Sequence, residues 1–151
     1  MSNKEIVTTL NDLVETCKDG EFGFGTCARH AESPELRNLF TQRAAQCERD
    51  ANELQTYVVQ YGGTPDTAGS AGGALHRGWL AVRGSLLGYS DLALLEECER
   101  GEDNGLSHYR KALGGVGLPQ ALRAVIERQC LGVQRNHEQV KALQQERRLA
   151  G

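Results

Sequence analysis

The sequence predicts an all-α protein, a four-helix bundle made of two pseudo-repeated helical hairpins joined by a long crossover. Three observations carry that prediction. Apolar residues recur at three- and four-residue steps over long stretches, and no strand-like alternation exceeds four residues. Pro34, Pro65 and Pro119 are the three prolines, and they fall at the edges of those stretches. The two halves also share a motif at a constant offset of 81: Leu13-Val14-Glu15-Thr16-Cys17-Lys18-Asp19-Gly20-Glu21 against Leu94-Leu95-Glu96-Glu97-Cys98-Glu99-Arg100-Gly101-Glu102. Two copies favour a closed bundle, since a solenoid needs three or more.

The first stripe runs Ile6, Leu10, Leu13, Cys17, Phe24, Ala28, Ala31, which predicts a helix from about Lys4 to about Glu32. Ser33-Pro34 then supplies an N-cap and a first-turn proline for the second helix. Its stripe is Leu36, Phe40, Ala44, Cys47, Ala51, Leu54, Val58, Tyr61, and Gly62-Gly63-Thr64-Pro65 ends it. Residues 62–90 are rich in Gly and Ser at first, with a short helix expected around Trp79. Roughly 28 residues reach ~42 Å if helical, enough to return along a whole bundle. Ser90-Asp91 reads as the next N-cap, followed by Leu95, Cys98, Gly105, Tyr109 and Leu113. Pro119 opens the last helix, with Leu122, Ile126, Val133, Val140 and Leu143 inward. The expected organisation is one domain over 1–151: a hairpin at about 4–61, the crossover at about 62–90 and a hairpin at about 91–149.

Composition narrows the function. Net charge is −3, from 17 Lys+Arg against 20 Asp+Glu, without a basic cluster, which argues against nucleic acid as the main partner. No apolar run approaches the ~18 residues of a membrane span. Five scattered cysteines without a C-x-x-C, and no signal-peptide core after Met1, lead to the expectation of a reduced, cytoplasmic protein. There is no phosphate-binding G-x-x-x-x-G-K-[ST] loop and no G-x-S-x-G nucleophile element, so hydrolase chemistry has no support.

Three polar residues stand on apolar stripes. Glu21 is four after Cys17 and three before Phe24; Glu102 is four after Cys98; His137 is four after Val133 and three before Val140. A buried charge costs several kcal/mol unless it is paired or bound to a cation. Counted from the hairpin turns, Glu21 lies 12 residues before Ser33 and Glu48 lies 14 after Pro34. Glu102 lies 14 before Val116, while Gln134 and His137 lie 15 and 18 after Pro119. Each hairpin therefore sets its polar residues near one height, and pseudo-symmetry aligns the two.

With Leu10–Glu21, Gly72–Trp79 and Glu99–Asp103 as its carriers, nearly the whole chain resembles a bacterial family of stand-alone ferritin-like four-helix-bundle proteins, a domain-of-unknown-function group. The resemblance implies a fold. The wider ferritin-like pattern sets one Glu on each of two helices and Glu-x-x-His on each of the other two. Glu21 and Glu102 match the single glutamates. Glu48-Arg49-Asp50-Ala51 keeps the Glu and loses the His, whereas Gln134-Arg135-Asn136-His137 keeps the His and loses the Glu. That set implies one divalent ion, Fe, Mn or Zn, held by Glu21, Glu48, Glu102 and His137 with Gln134 behind them. Asp50 or Glu53 replaces Glu48 if the second helix is rotated.

The resulting expectation is a small bundle protein with a degenerate, non-catalytic metal site. The alternatives are a structural or interaction protein without metal and, third, a di-iron oxidase or peroxide-consuming enzyme. His30 and His108 read as surface or helix-end residues and His76 as packing in the crossover. The cysteines read as small apolar residues, with Cys17 and Cys98 facing one another as pseudo-symmetric partners. Trp79, Leu80, Leu86, Leu87 and Tyr89 offer an apolar patch for a homodimer.

Overall fold

Serine caps set three of the four helices. In the computed structural model, which describes residues 1–65 and 89–150, Ser2 accepts from the Glu5 amide, Ser33 from Leu36 and Ser90 from Ala93. The helices they start are α1 (Asn3–His30), α2 (Pro34–Gln60) and α3 (Asp91–Leu113), and α4 (Gln120–Ala150) follows Pro119. Helix α2 ends where Gly62 takes φ +83°. The Gly62 and Gly63 amides there return to the Val59 and Val58 carbonyls, the paired bonds of a Schellman cap. The two expected hairpins are thus present, with α1 ending at His30, two residues short of Glu32. The short helix expected near Trp79, and all of the apolar patch except Tyr89, lie outside the described residues. Tyr89 itself packs on the core.

Side-chain contacts fix the topology. Cys27 meets Cys98 and Cys17 meets Tyr109, so α1 and α3 run antiparallel. Gln129 of α4 reaches Glu53 of α2, while Glu102 meets both Arg43 of α2 and Asn136 of α4, so α2 and α4 are antiparallel as well. Helices α2 and α3 therefore run parallel, the connectivity that requires a long crossover, and the fold is a ferritin-like four-helix bundle. The principal packing is α1 on α2, α3 on α4 and α1 on α3. Asp91 ties one end together by accepting from the Glu32 and Ser33 amides in the α1–α2 turn.

The apolar interior is divided. One cluster contains Ile6, Leu10, Leu54, Leu106, Tyr109 and Ile126; the other contains Phe24, Leu36, Phe40, Leu94, Cys98 and Val140. Buried polar side chains, Arg43, Glu102 and Asn136 among them, also occur within the bundle. The functional questions start there. Among the described residues, no helix is long and apolar enough to cross a membrane.

Two helix glycines that border one internal cavity respond differently to a methyl group. A Cβ on Gly105 would touch Thr16 Cγ2 at an ordinary 3.6 Å, while one on Gly20 would fall 2.8 Å from the buried Cys47 Sγ. Gly→Ala within a helix gains about 1 kcal/mol, and overpacking costs about 1–3 kcal/mol. Gly105→Ala should raise the thermal midpoint by about 2–4 °C and Gly20→Ala should lower it. Gly20→Ala combined with Cys47→Ala should be more stable than Cys47→Ala alone. Equal stabilisation by the two single alanines in a thermal melt would contradict this packing.

Candidate metal centre

Arg43 of α2 stands three residues after Phe40 and four before Cys47, a stripe position that an arginine occupies only with compensation. It is 7% exposed, Glu102 of α3 is 4% exposed and Asn136 of α4 is 8% exposed. Arg43 Nε lies 3.5 Å from Glu102 Oε1, the Asn136 amide donates to the same carboxylate, and the guanidinium sits 5.7 Å from the Phe24 ring centroid. Burial holds the Glu102 carboxyl above the usual glutamate range, and the opposing pull of Arg43 and Asn136 does not restore it. A cavity of about 40 Å³ adjoins the pair, bordered by Gly20, Gly101 and Gly105 among others. A water molecule needs roughly 10–15 Å³ of such room.

The four residues that the sequence nominates are distributed over this layer and its two sides. Glu21 of α1 is partly exposed, lies 3.7 Å from Lys18 Nζ and neighbours Glu48 of α2. Burial, then the Glu48 contact, raises the Glu21 carboxyl. Glu48 is exposed. Glu102 is central and bound to Arg43. His137 lies toward α3 on the other side and is joined there by Glu99 and Asp103, neither of which is among the four nominated residues. Gln134 is half-buried on α4. Asp50 is buried and accepts from Gln46, and Glu53 accepts from Gln129 and Arg128.

Glu99 and Asp103 occupy one face of α3 because they are four residues apart. His137 Nε2 lies 2.6 Å from Asp103 Oδ1 and 3.7 Å from Glu99 Oε2. One potential ligand atom from each of the three falls within 4.8 Å of the others, the group of this kind found among the described residues. The imidazole Nε2 is buried and neither carboxylate meets it in hydrogen-bond alignment. Gln144 donates to Glu99 Oε1 at 2.7 Å, fixing that carboxylate from behind. Asp103 is 64% exposed, which leaves one side open to water. Two carboxylates and a neutral imidazole supply N and O donors and two negative charges, a set suited to one divalent cation.

The cysteines are buried and free. Cys98 approaches Cys27, Sγ to Sγ at 3.6 Å, and Cys17 bonds Tyr109 Oη at 3.2 Å, so Cys17 and Cys98 do not face one another. Burial pushes the Cys47 thiol up to about 12 and raises Cys17 and Cys98 as well, which keeps these thiols protonated and weakly nucleophilic. His30 bonds the Thr26 carbonyl at a helix end, and exposed His108 bonds Thr16.

Residues 5–115 match the family described as a domain of unknown function, DUF2383. The chain belongs to that family. The matched span includes Arg43, Glu99, Glu102 and Asp103 and stops before α4, which carries Asn136 and His137. No curated protein matches the sequence. Among solved structures, a Phe-to-Glu mutant of Dps1 from Mycobacterium smegmatis is similar at 13% identity, with a TM-score of 0.78 over 94% of this chain and 96% of that chain. At that identity the likeness is one of fold.

Two stability measurements test the polar layer of this family member. Arg43→Ala leaves the Glu102 charge buried and should cost about 3–5 kcal/mol in urea unfolding, most of it recovered in Arg43→Met with Glu102→Leu. A loss below about 1 kcal/mol for Arg43→Ala would show that the pair is solvated. The second concerns Asp50, whose carboxyl is raised by burial against the opposing pull of Gln46 and Arg43. The folded state then binds its proton more tightly than the unfolded state. Its stabilising contribution is present below the ordinary aspartate pKa and is lost as pH rises through the folded value. Asp50→Asn should therefore flatten the decline in unfolding free energy as pH rises out of the acid range. An unchanged or steeper decline would contradict the assignment.

Proposed function

We propose that this ferritin-like protein binds one divalent cation through His137, Asp103 and Glu99, and that the centre is a binding site rather than an oxidising one. The observation that carries the proposal is the buried, unaligned imidazole nitrogen of His137 between two carboxylates of the neighbouring helix. A cation there would be met by lone pairs from all three side chains, and solvent on the Asp103 side would complete its coordination. Gln144 supplies the outer hydrogen bond that orients Glu99. His137 thus keeps the ligand role that the sequence suggests. Glu102 is committed to Arg43 and Asn136, and Glu21 and Glu48 form a separate carboxylate pair. A guanidinium beside Glu102 is a fixed positive charge in the layer where a second metal ion would need carboxylates to itself. That favours one metal over an oxidising pair.

A structural or interaction protein is the second reading, favoured by the hydrogen-bonded and ion-paired filling of the bundle centre. Calorimetric titration of Mn(II), Fe(II) and Zn(II) into chelator-treated protein separates the two. The metal reading expects one site per chain, weakened roughly tenfold or more by His137→Ala, Asp103→Asn or Gln144→Ala. It expects no change in Glu21→Ala with Glu48→Ala. Absence of binding to the unaltered protein would leave the structural reading, and loss confined to the Glu21/Glu48 variant would move the site to that pair.

A further inference from the structure

The seam between α2 and α4 is unlike the rest of the surface. Helix α2 packs chiefly on α1, and α4 on α3. Between α2 and α4 lies a groove of about 480 Å³, within the 300–1,000 Å³ typical of small-molecule sites. Its lining includes Arg43, Arg49, Arg128 and Arg135, five side-chain amides and a single carboxylate, that of Asp50. The chain as a whole carries −3, so this concentration of arginine runs against the average charge.

Not all four arginines are neutralised. Arg128 is paired with Glu53 and Arg43 with Glu102. Arg49 donates to the Gln46 amide oxygen at 2.8 Å, and among the described residues no carboxylate pairs with Arg49 or Arg135. Arg43, more than nine-tenths buried, lines the groove from within, its Nε 3.5 Å from Glu102 Oε1 and outside hydrogen-bond alignment. Gly132 leaves the α4 wall open, since a Cβ there would meet nothing within 4 Å. The sequence of residues 66–88 contains one acid, Asp66, against Arg77 and Arg83, and so carries no net negative charge.

We propose that the α2/α4 groove binds a small multivalent oxyanion, with Arg49 and Arg135 gripping it at the rim and Arg43 receiving it at the base. Guanidinium forks match paired oxygens of phosphates and carboxylates, and charge-assisted bonds of this kind are the strong ones. The amides of Gln42, Gln46 and Gln139 offer donors and acceptors for neutral parts of the ligand. Among the described residues, the groove lining contains no aromatic ring on which a base could stack.

The test is calorimetric titration with pyrophosphate and, separately, citrate, at two salt concentrations. One site per chain should appear, weakened at least roughly tenfold in Arg49→Ala with Arg135→Ala, both exposed positions. Gly132→Leu, which fills the groove without altering charge, should also weaken it. Tighter binding of pyrophosphate assigns the site to phosphate compounds and tighter citrate binding assigns it to polycarboxylates. His137→Ala should leave anion binding intact, which separates this result from the metal reading. No binding of either anion, binding unchanged in both groove variants, or loss in His137→Ala would overturn the proposal.

Discussion

The arrangement depends on a positive charge enclosed in the bundle. Arg43 cannot give up its proton, so its burial must be met by charge and hydrogen bonding from neighbouring helices. Glu102 provides the charge from α3, and Asn136 secures the Glu102 carboxylate from α4. Three helices are thereby tied through one carboxylate, although α2 has few direct contacts with α3 and α4. Replacing such a pair with hydrocarbon is often neutral or stabilising. Here it joins α2, α3 and α4 at one level and sets a positive charge beside the central carboxylate.

That sign orders the rest of the molecule. With Glu102 satisfied from within, the cation-attracting group lies to the α3/α4 side, where adjacent Asp103 and Glu99 meet His137. The guanidinium also borders the α2/α4 groove, where other arginines gather. Asn136 and His137 are consecutive on α4, so one turn serves both environments, the first side chain holding the internal carboxylate and the second facing the acids of α3.

Much of the architecture was legible in the sequence. The serine caps, the glycine stop at Gly62 and the apolar stripes placed both hairpins, because caps and periodicity are local properties. The repeated motif led to the parallel arrangement of α2 and α3 through the long connection. Side-chain placement was less legible. Glu21 and Glu102 hold equivalent repeat positions, yet one is partly exposed and the other buried, because Asp19 and Gly20 border the internal cavity on α1. Arg43 carried the same stripe signal that singled out Glu102, at three after Phe40 and four before Cys47. Ala44, apolar and adjacent, masked it. The Glu99–Asp103 spacing was visible too, but Glu96, Glu97 and Glu102 stand on the same turns, and only the packing of His137 shows which acids it meets.

The measurement that most directly tests this account is anomalous diffraction from crystals of the protein soaked in Mn(II) or Zn(II). The account predicts a single strong peak at coordination distance from His137 Nε2 and the Asp103 and Glu99 carboxylates, with Arg43 still beside Glu102. A peak among Glu21, Glu48 and Glu102, with Arg43 displaced from the interior, would contradict it.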